Sequence, residues 1–385
     1  MKTIAVPIKQ PFQKPQSPLF GSGPTKKFPD WTWGHLDNAL LGRSHRSVEG
    51  NKRLQEVTDL TRTILEVPES YQIAIMAGSA TGAIEAALWT LLGSRGVDVF
   101  AWDVFGKLWV TDVVQQLAIQ DRRIFEADFG ELPDLSQYNP QRDVVFTWNG
   151  TSAGVCVPNL DWIPENREGL SICDATSSAF TLPLEWNKLD VTAFSWQKGL
   201  GSEAAHGMLV LSPRALDQLQ HYTPSWPIPR LFRLTKGKQL IDGIFIGKTI
   251  NTPSMLCAED YLAALSWAKE IGGQKALTTR TLSNFKVLDV WLDNHPHLEY
   301  LATDKATTSP ISVCFKLKES TVSKAQQAEI IQKICLQLAE LGVALEIKNH
   351  YLAPASFRIW CGPTVEAEDL ERLTPWIDWA LSYFV

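Results

Sequence analysis

Two residues of this chain are placed to do chemistry together, Asp174 and Lys198. Each follows a short apolar run: residues 170–173 lead into Asp174, and residues 191–196 lead into Gln197, Lys198 and Gly199. Runs of that length and composition read as buried strands, and the carboxyl ends of neighbouring strands are where open α/β sheets bind ligands. A lysine between an apolar strand and a glycine-rich loop is partly desolvated, which lowers its pKa toward a free, reactive amine. Such a pair suits pyridoxal 5′-phosphate, which needs an amine for its Schiff base and an acid to keep its ring nitrogen protonated. The same two residues would also fit a buried ion pair, or a lysine that snorkels to solvent. The elements around them have to decide.

Those elements have room to form. The chain has 385 residues, 45% hydrophobic and 20% charged, enough for one large domain and a smaller one. A formal net charge of −6 without a basic stripe argues against nucleic acid as a partner. Residues 1–7 lack the apolar run of a signal peptide, and no stretch approaches the roughly 20 apolar residues a spanning helix needs. No membrane partner is expected, and the expected location is cytoplasmic. Cys156, Cys173, Cys257, Cys314, Cys335 and Cys361 are widely spaced, without a C-x-x-C pair. They read as reduced core thiols, so neither a disulfide framework nor a metal site is expected.

Taken in order, residues 1–30 are a Pro-, Lys- and Gly-rich arm ending near Gly21-Ser22-Gly23-Pro24. His45 and Arg46 precede a helix whose apolar face is Leu54, Val57, Leu60, Ile64 and Leu65, and an anion would be welcome at its amide end. Without other context a solvated basic loop explains them as well. A strand over 72–76 then meets Gly78, Ser79 and Ala80, a small-residue turn opening a helix and so a cup for phosphate. It is neither a P-loop nor a dinucleotide fingerprint. A strand over 97–101 precedes a helix carrying Phe105 and Trp109, either of which could stack on a planar ring. A strand over 144–148 precedes Thr151, well placed to hydrogen-bond a ligand. Strands and helices alternate in this way to about residue 215, the pattern of a mostly parallel, helix-covered sheet. An irregular excursion over 221–255 follows, then helices over 256–271 and 273–294. A smaller α/β unit closes the chain, with strands over 311–316, 343–347 and 356–360 and helices over 322–341 and 366–382.

Taken together, Gly21-Ser22-Gly23-Pro24, Ser44-His45-Arg46-Ser47, Asp174-Ala175-Thr176-Ser177-Ser178, residues 195–201 and Asn251-Thr252-Pro253 resemble, in this order, the fold-type I pyridoxal phosphate enzymes of the class V aminotransferase group. Within that group the chain is similar to the phosphoserine aminotransferases, over nearly its whole length. The resemblance implies a large, mostly parallel sheet of the seven-stranded type with helices on both faces. It implies an arm over 1–30, a cofactor domain over 31–271 and a small domain over 272–385 that opens with a connector helix. Lys198 would carry the Schiff base, Asp174 would pair with the ring nitrogen, Trp109 would stack on the ring and Thr151 would bond its hydroxyl. Gly78, Ser79, Ala80 and Gln197 would hold the cofactor phosphate, joined by Asn251 and Thr252 from the other subunit of a homodimer. His45 and Arg46 would bind the substrate's phosphate, and Arg358 would clamp its α-carboxylate. The implied reaction exchanges an amino group between L-glutamate and 3-phosphohydroxypyruvate, in L-serine biosynthesis, with pyridoxine biosynthesis left open. A serine- or alanine–glyoxylate aminotransferase is the alternative, and a cysteine desulfurase a more distant one. One departure stands out: many family members carry an arginine after the glycine of the first turn, where this chain has Ser79. Arg230, Arg233, Lys236 and Lys238 are candidates to replace that charge.

Overall fold

The computed structural model describes residues 8–385, so the expectation about a leader in residues 1–7 lies outside it. The apolar runs of the first half fold as β1 (Gln72–Ala77), β2 (Val97–Ala101), β3 (Arg122–Glu126) and β4 (Asp143–Thr147). A short ladder of β5 (Asn149–Gly150) with β6 (Val155–Cys156) follows, then β7 (Ser171–Asp174), β8 (Val191–Ser195) and β9 (His206–Leu211). Seven of these form one sheet in the order β1-β9-β8-β7-β4-β2-β3. β8, β7, β4, β2 and β3 run parallel, whereas β9 is antiparallel to both its neighbours. β2, β4, β7 and β8 are buried along their whole lengths, as expected of parallel strands covered on both faces.

The covering helices are α1 (Val48–Leu65), α2 (Ser79–Leu91), α3 (Val104–Thr111), α4 (Pro213–His221) and α5 (Met255–Glu270). Alternate strand residues feed two different cores, which is the period-two geometry of a strand. Ala74, Met76, Leu209 and Leu211 join Leu88 of α2 on one face. Ile73, Ile75, Met208 and Val210 join Leu54 of α1 and Tyr261 of α5 on the other. α1 starts where Ser47 Oγ accepts from the Gly50 amide at 3.0 Å and stops at Glu66, which is left-handed at φ 55°. The expected helix carrying Phe105 and Trp109 changes pitch after α3, because Asp112–Gln116 form a π-turn.

In the excursion, β10 (Thr235–Lys236) and β11 (Gln239–Leu240) make a small hairpin. α6 (Gly273–Leu292) leads to β12 (Leu298–Tyr300), β13 (Ser312–Leu317), α7 (Lys324–Glu340), β14 (Phe357–Trp360) and α8 (Ala367–Leu381). The three strands form an antiparallel sheet in the order β12-β13-β14, over a core that includes Phe315, Leu338 and Trp376. The expected strand over 343–347 is not in that sheet. Val343 donates its amide back to Leu338 O at 2.8 Å, Leu345 donates to Pro18 O at 2.7 Å, and Glu346 is left-handed at φ 58°. The segment therefore divides its backbone bonds between the end of α7, the N-terminal arm and, through Ile347 O accepting from the Arg358 amide at 2.8 Å, a single contact with β14. No helix among the described residues is long and apolar enough to cross a membrane.

Candidate active site

The carboxyl ends of β1, β2, β4, β7 and β8 point toward one cavity of about 340 Å³. Each strand end delivers a different chemistry. β7 ends in Asp174, and β8 ends in Ser195 and runs on through Trp196 to Gln197 and Lys198. β4 ends in Thr147, followed by Asn149 and Thr151; after β1 come Ser79, Ala80 and Thr81; after β2 come Phe105 and Trp109. The N-terminal arm closes the cavity from the far side with Gly23 and Pro24. Lys198 Nζ donates to the Ser22 carbonyl, and a Cβ on Gly23 would run into that same nitrogen. Glycine is needed there for the close approach.

Electrostatics follow from burial. Lys198 has its pKa lowered from the ordinary 10.5 to about 8, chiefly by desolvation and then by the charge of Arg358, while Asp174 and Asp103 oppose the change. Asp174 is pushed up by burial and held back by hydrogen bonds. Thr176 donates to its Oδ1 from both amide and hydroxyl, and Trp109 Nε1 donates to its Oδ2 at 3.1 Å. The carboxylate is thereby fixed in orientation. Asp103, fully buried, is raised to about 6 by desolvation; it caps α3 by accepting from the Gly106 amide at 2.8 Å. Arg358 sits on β14 opposite Cys314 of β13, and its Nε is buried without a hydrogen-bond partner among the described residues. Arg358 is half-buried and does not itself line the cavity, and its unused buried donor is suited to an anion.

The polar lining asks for a ligand. Thr147 Oγ1, Asn149 Oδ1, Ser195 Oγ and Gln197 Oε1 are buried without partners among the described residues, and all four residues line the cavity. An amine, an oriented carboxylate, two aromatic rings, free amides and several hydroxyls fit an aromatic aldehyde carrying a phosphate. The turn after β1 is strained to make its cup. Gly78 and Ser79 are both left-handed, at φ 81° and 56°, and only the first is a glycine. The Ser79 amide is committed to Ala205 O at 3.3 Å, which leaves the Ser79 hydroxyl and the amides of Ala80 and Thr81 at the start of α2.

Not every residue singled out from the sequence lies here. Lys198, Asp174, Trp109, Thr151, Ser79, Ala80 and Gln197 line the cavity. Gly78 stands just behind it, with its amide on Ala205 O at 3.2 Å. His45 and Arg46 do not line it; they precede α1, with His45 buried, its pKa lowered by burial and by Arg46, and Arg46 exposed. Asn251 and Thr252 do not line it either. Their loop leaves Gly247, which packs on Leu54 and Gln55 of α1, the helix that His45 and Arg46 precede. Arg230, Arg233, Lys236 and Lys238 are exposed and line no part of the cavity. Phe105 lines it beside Trp109, with its ring edge-on to His350 at 6.2 Å. Thr176, Ser195, Asn149 and Asp103 escaped the sequence reading. Asp103 and Thr176 carried a signal, an acid and a hydroxyl each two residues beyond a strand end.

No family model matches the chain. A phosphoserine aminotransferase of Methanosarcina mazei is 48% identical over 371 residues, spanning 96% of this chain and 98% of that one. Its counterpart in Methanosarcina barkeri is 49% identical over 371 residues, with 96% and 98% covered. Among solved structures, a phosphoserine aminotransferase from Cytophaga hutchinsonii superposes with a TM-score of 0.79 at 19% identity, covering 95% of this chain and 98% of that one. The last likeness speaks for the fold. The first two match almost every second residue along nearly the whole of both chains, and on that ground this chain belongs to the phosphoserine aminotransferase family.

Proposed function

We propose that the chain uses pyridoxal 5′-phosphate to exchange an amino group reversibly between L-glutamate and 3-phosphohydroxypyruvate, giving O-phospho-L-serine and 2-oxoglutarate. The observation that carries this reading is one cavity lined by a desolvated lysine, an oriented acid and an aromatic ring, in a chain of this family. When bound, the cofactor supplies an electron sink for the charge left behind as the α-proton departs. The protein's own groups do the rest. Lys198 Nζ would hold the cofactor and, as a free amine, would take the proton from the substrate's α-carbon. A pKa near 8 leaves it a usable fraction of free base near neutrality. Asp174, oriented by Thr176 and Trp109, keeps the proton on the ring nitrogen. Thr151 would donate to the ring oxygen, Trp109 would offer its face to the ring, and Ser79, Ala80 and Gln197 would hold the phosphate.

Arg358 takes the substrate's α-carboxylate, which would supply its buried Nε with an acceptor. His45, Arg46, Asn251 and Thr252 stand off their own chain's cavity, so we assign them to the cavity of a second copy in a homodimer. There they would bind the substrate's distal anion and the cofactor phosphate. For the division into an arm over 1–30, a cofactor domain over 31–271 and a small domain over 272–385, the support is that the seven-stranded and three-stranded sheets are separate. A cysteine desulfurase would need an exposed nucleophilic thiol, and Cys361 is fully buried behind β14. A cytoplasmic place in serine synthesis completes the reading. The test is a spectral titration of the loaded protein. L-Glutamate should abolish a visible band that depends on Lys198, and 3-phosphohydroxypyruvate should restore it. Restoration by glyoxylate instead would move the substrate assignment to the glyoxylate-type enzymes, and a band that survives in Lys198→Ala would end it altogether.

A further inference from the structure

The turn between β5 and β6 is fastened to the small sheet. Thr151 Oγ1 lies 2.6 Å from Ser312 Oγ, although the two residues are 161 apart in sequence. Asn349 Nδ2 donates to Ser152 O at 2.9 Å, and Cys314 Sγ faces Thr151 O at 3.5 Å, so the backbone of the turn is held as well. Thr151 and Ser312 are both buried, yet Thr151 lines the cavity and Ser312 does not.

Each hydroxyl carries one hydrogen, and only one of the two can lie between the oxygens. If Thr151 donated, the Ser312 hydrogen would have no acceptor, because Ser312 Oγ has no other partner among the described residues. Leaving a buried donor unmet costs about 1–3 kcal/mol. If Ser312 donates, its own need is met and the Thr151 hydrogen is turned into the cavity. The favoured arrangement therefore runs one way, from Ser312 to Thr151 to whatever oxygen faces it.

We propose that Ser312 is a positioning residue that makes Thr151 an obligate donor, so that the cavity selects an acceptor oxygen at that point. Resting on the cofactor assignment above, this oxygen is the ring oxygen of pyridoxal phosphate, held in its anionic form. Ser312 lies on β13 and Arg358 on the adjacent β14, two residue pairs along the same ladder from the Ser312–Trp360 pair. One strand pair thus supports both the ring contact and the proposed carboxylate clamp. The charged and titratable groups that face this point are Asp174 and Lys198 from the large sheet, Asp103 from the start of α3, and Cys314, His350 and Arg358 from the small domain. Changing Ser312 removes none of them.

The test compares wild type, Ser312→Ala, Thr151→Val and the double variant, each loaded with pyridoxal phosphate. Two quantities are read: the dissociation constant of the cofactor, and the pH midpoint of the Schiff-base absorbance. Ser312→Ala should raise the dissociation constant about threefold to tenfold, the span of one net hydrogen bond. It should also move the midpoint upward, because the anionic ring oxygen loses a fixed donor. Thr151→Val should move both at least as far, and the double variant no farther than Thr151→Val. Ser312→Cys, of similar shape but a weaker donor, should fall between wild type and alanine, and it decides the matter alone if the alanine variant does not fold. Wild-type values in the Ser312 variants beside a shifted Thr151→Val would overturn the role of Ser312 and leave the cofactor assignment standing. Additive effects in the double variant would do the same. The lack of any Lys198-dependent band in the wild type would overturn both.

Discussion

The amine of Lys198 offers the sharpest check on the electrostatic account. Its pKa falls from the ordinary 10.5 to about 8, a difference worth about 3 kcal/mol between the charged and neutral forms at 1.36 kcal/mol per tenfold. At pH 7 the site then holds roughly 300 times more free amine than an ordinary lysine would. Three neighbouring charges act on it in opposite senses: Arg358 lowers the value, whereas Asp174 and Asp103 raise it. Arg358→Gln should accordingly move the titration midpoint up, and Asp174→Asn should move it down. The assay is the rate of Schiff-base formation between the cofactor-free protein and pyridoxal, followed by absorbance across pH 6 to 11. Pyridoxal is chosen because it lacks the phosphate, so loss of phosphate contacts does not enter. The wild-type rate should rise with pH and level off above about pH 8. A wild-type midpoint near 10 would refute desolvation as the dominant cause. Shifts of the same sign in both charge variants would refute the assignment of their roles.

The same shift has a consequence for stability. With the folded pKa below the unfolded one, the unfolded chain binds more protons between about pH 8 and 10.5, so stability should rise with pH across that window. Cofactor-free wild type should gain up to about 3 kcal/mol there relative to Lys198→Met, measured by urea midpoints, and parallel pH curves would count against it. Gly23→Ala places a methyl against the tip of Lys198 rather than against backbone. Denaturation should change by no more than about 0.5 kcal/mol while cofactor affinity falls at least about tenfold, and equal losses in both would mean that the arm, not the lysine, is disturbed. Asp190 is buried and accepts from Arg167 Nη2 at 3.0 Å, Arg214 Nη1 at 2.9 Å and the Ser171 amide at 3.0 Å. Asp190→Ala should cost about 3–5 kcal/mol in chemical denaturation, since it leaves a buried guanidinium uncompensated; a loss under about 1 kcal/mol would show that the pair is dispensable.

What was legible in the sequence was what a few consecutive residues encode. An apolar run followed by a polar or glycine turn marks a strand end, and Asp174, Lys198, Ser79, Thr151 and Trp109 all follow such runs and all line the cavity. Arg122–Glu126 was harder to see, because an edge strand with two arginines and half-buried side chains lacks the apolar run of its neighbours. Residues 343–347 looked like a strand for the opposite reason: they are apolar enough, but Val343 bonds back to Leu338 at the end of α7, and the partners of Leu345 and Ile347 are the distant Pro18 and Arg358. The Thr151–Ser312 contact has no local signal at all. His45, Arg46, Asn251 and Thr252 raise a different matter, for a motif records which side chains a reaction needs and not which copy of the chain supplies them. Among the described residues the lining of this cavity holds Lys198 as its one cation, and with Ser79 in place of an arginine after Gly78 nothing else among them in that lining matches the charge of a second anion. A substrate with both an α-carboxylate and a phosphate needs more positive charge than that. In the reading proposed above, Arg358 would supply the first, and the loop and helix start of a second copy would supply the second.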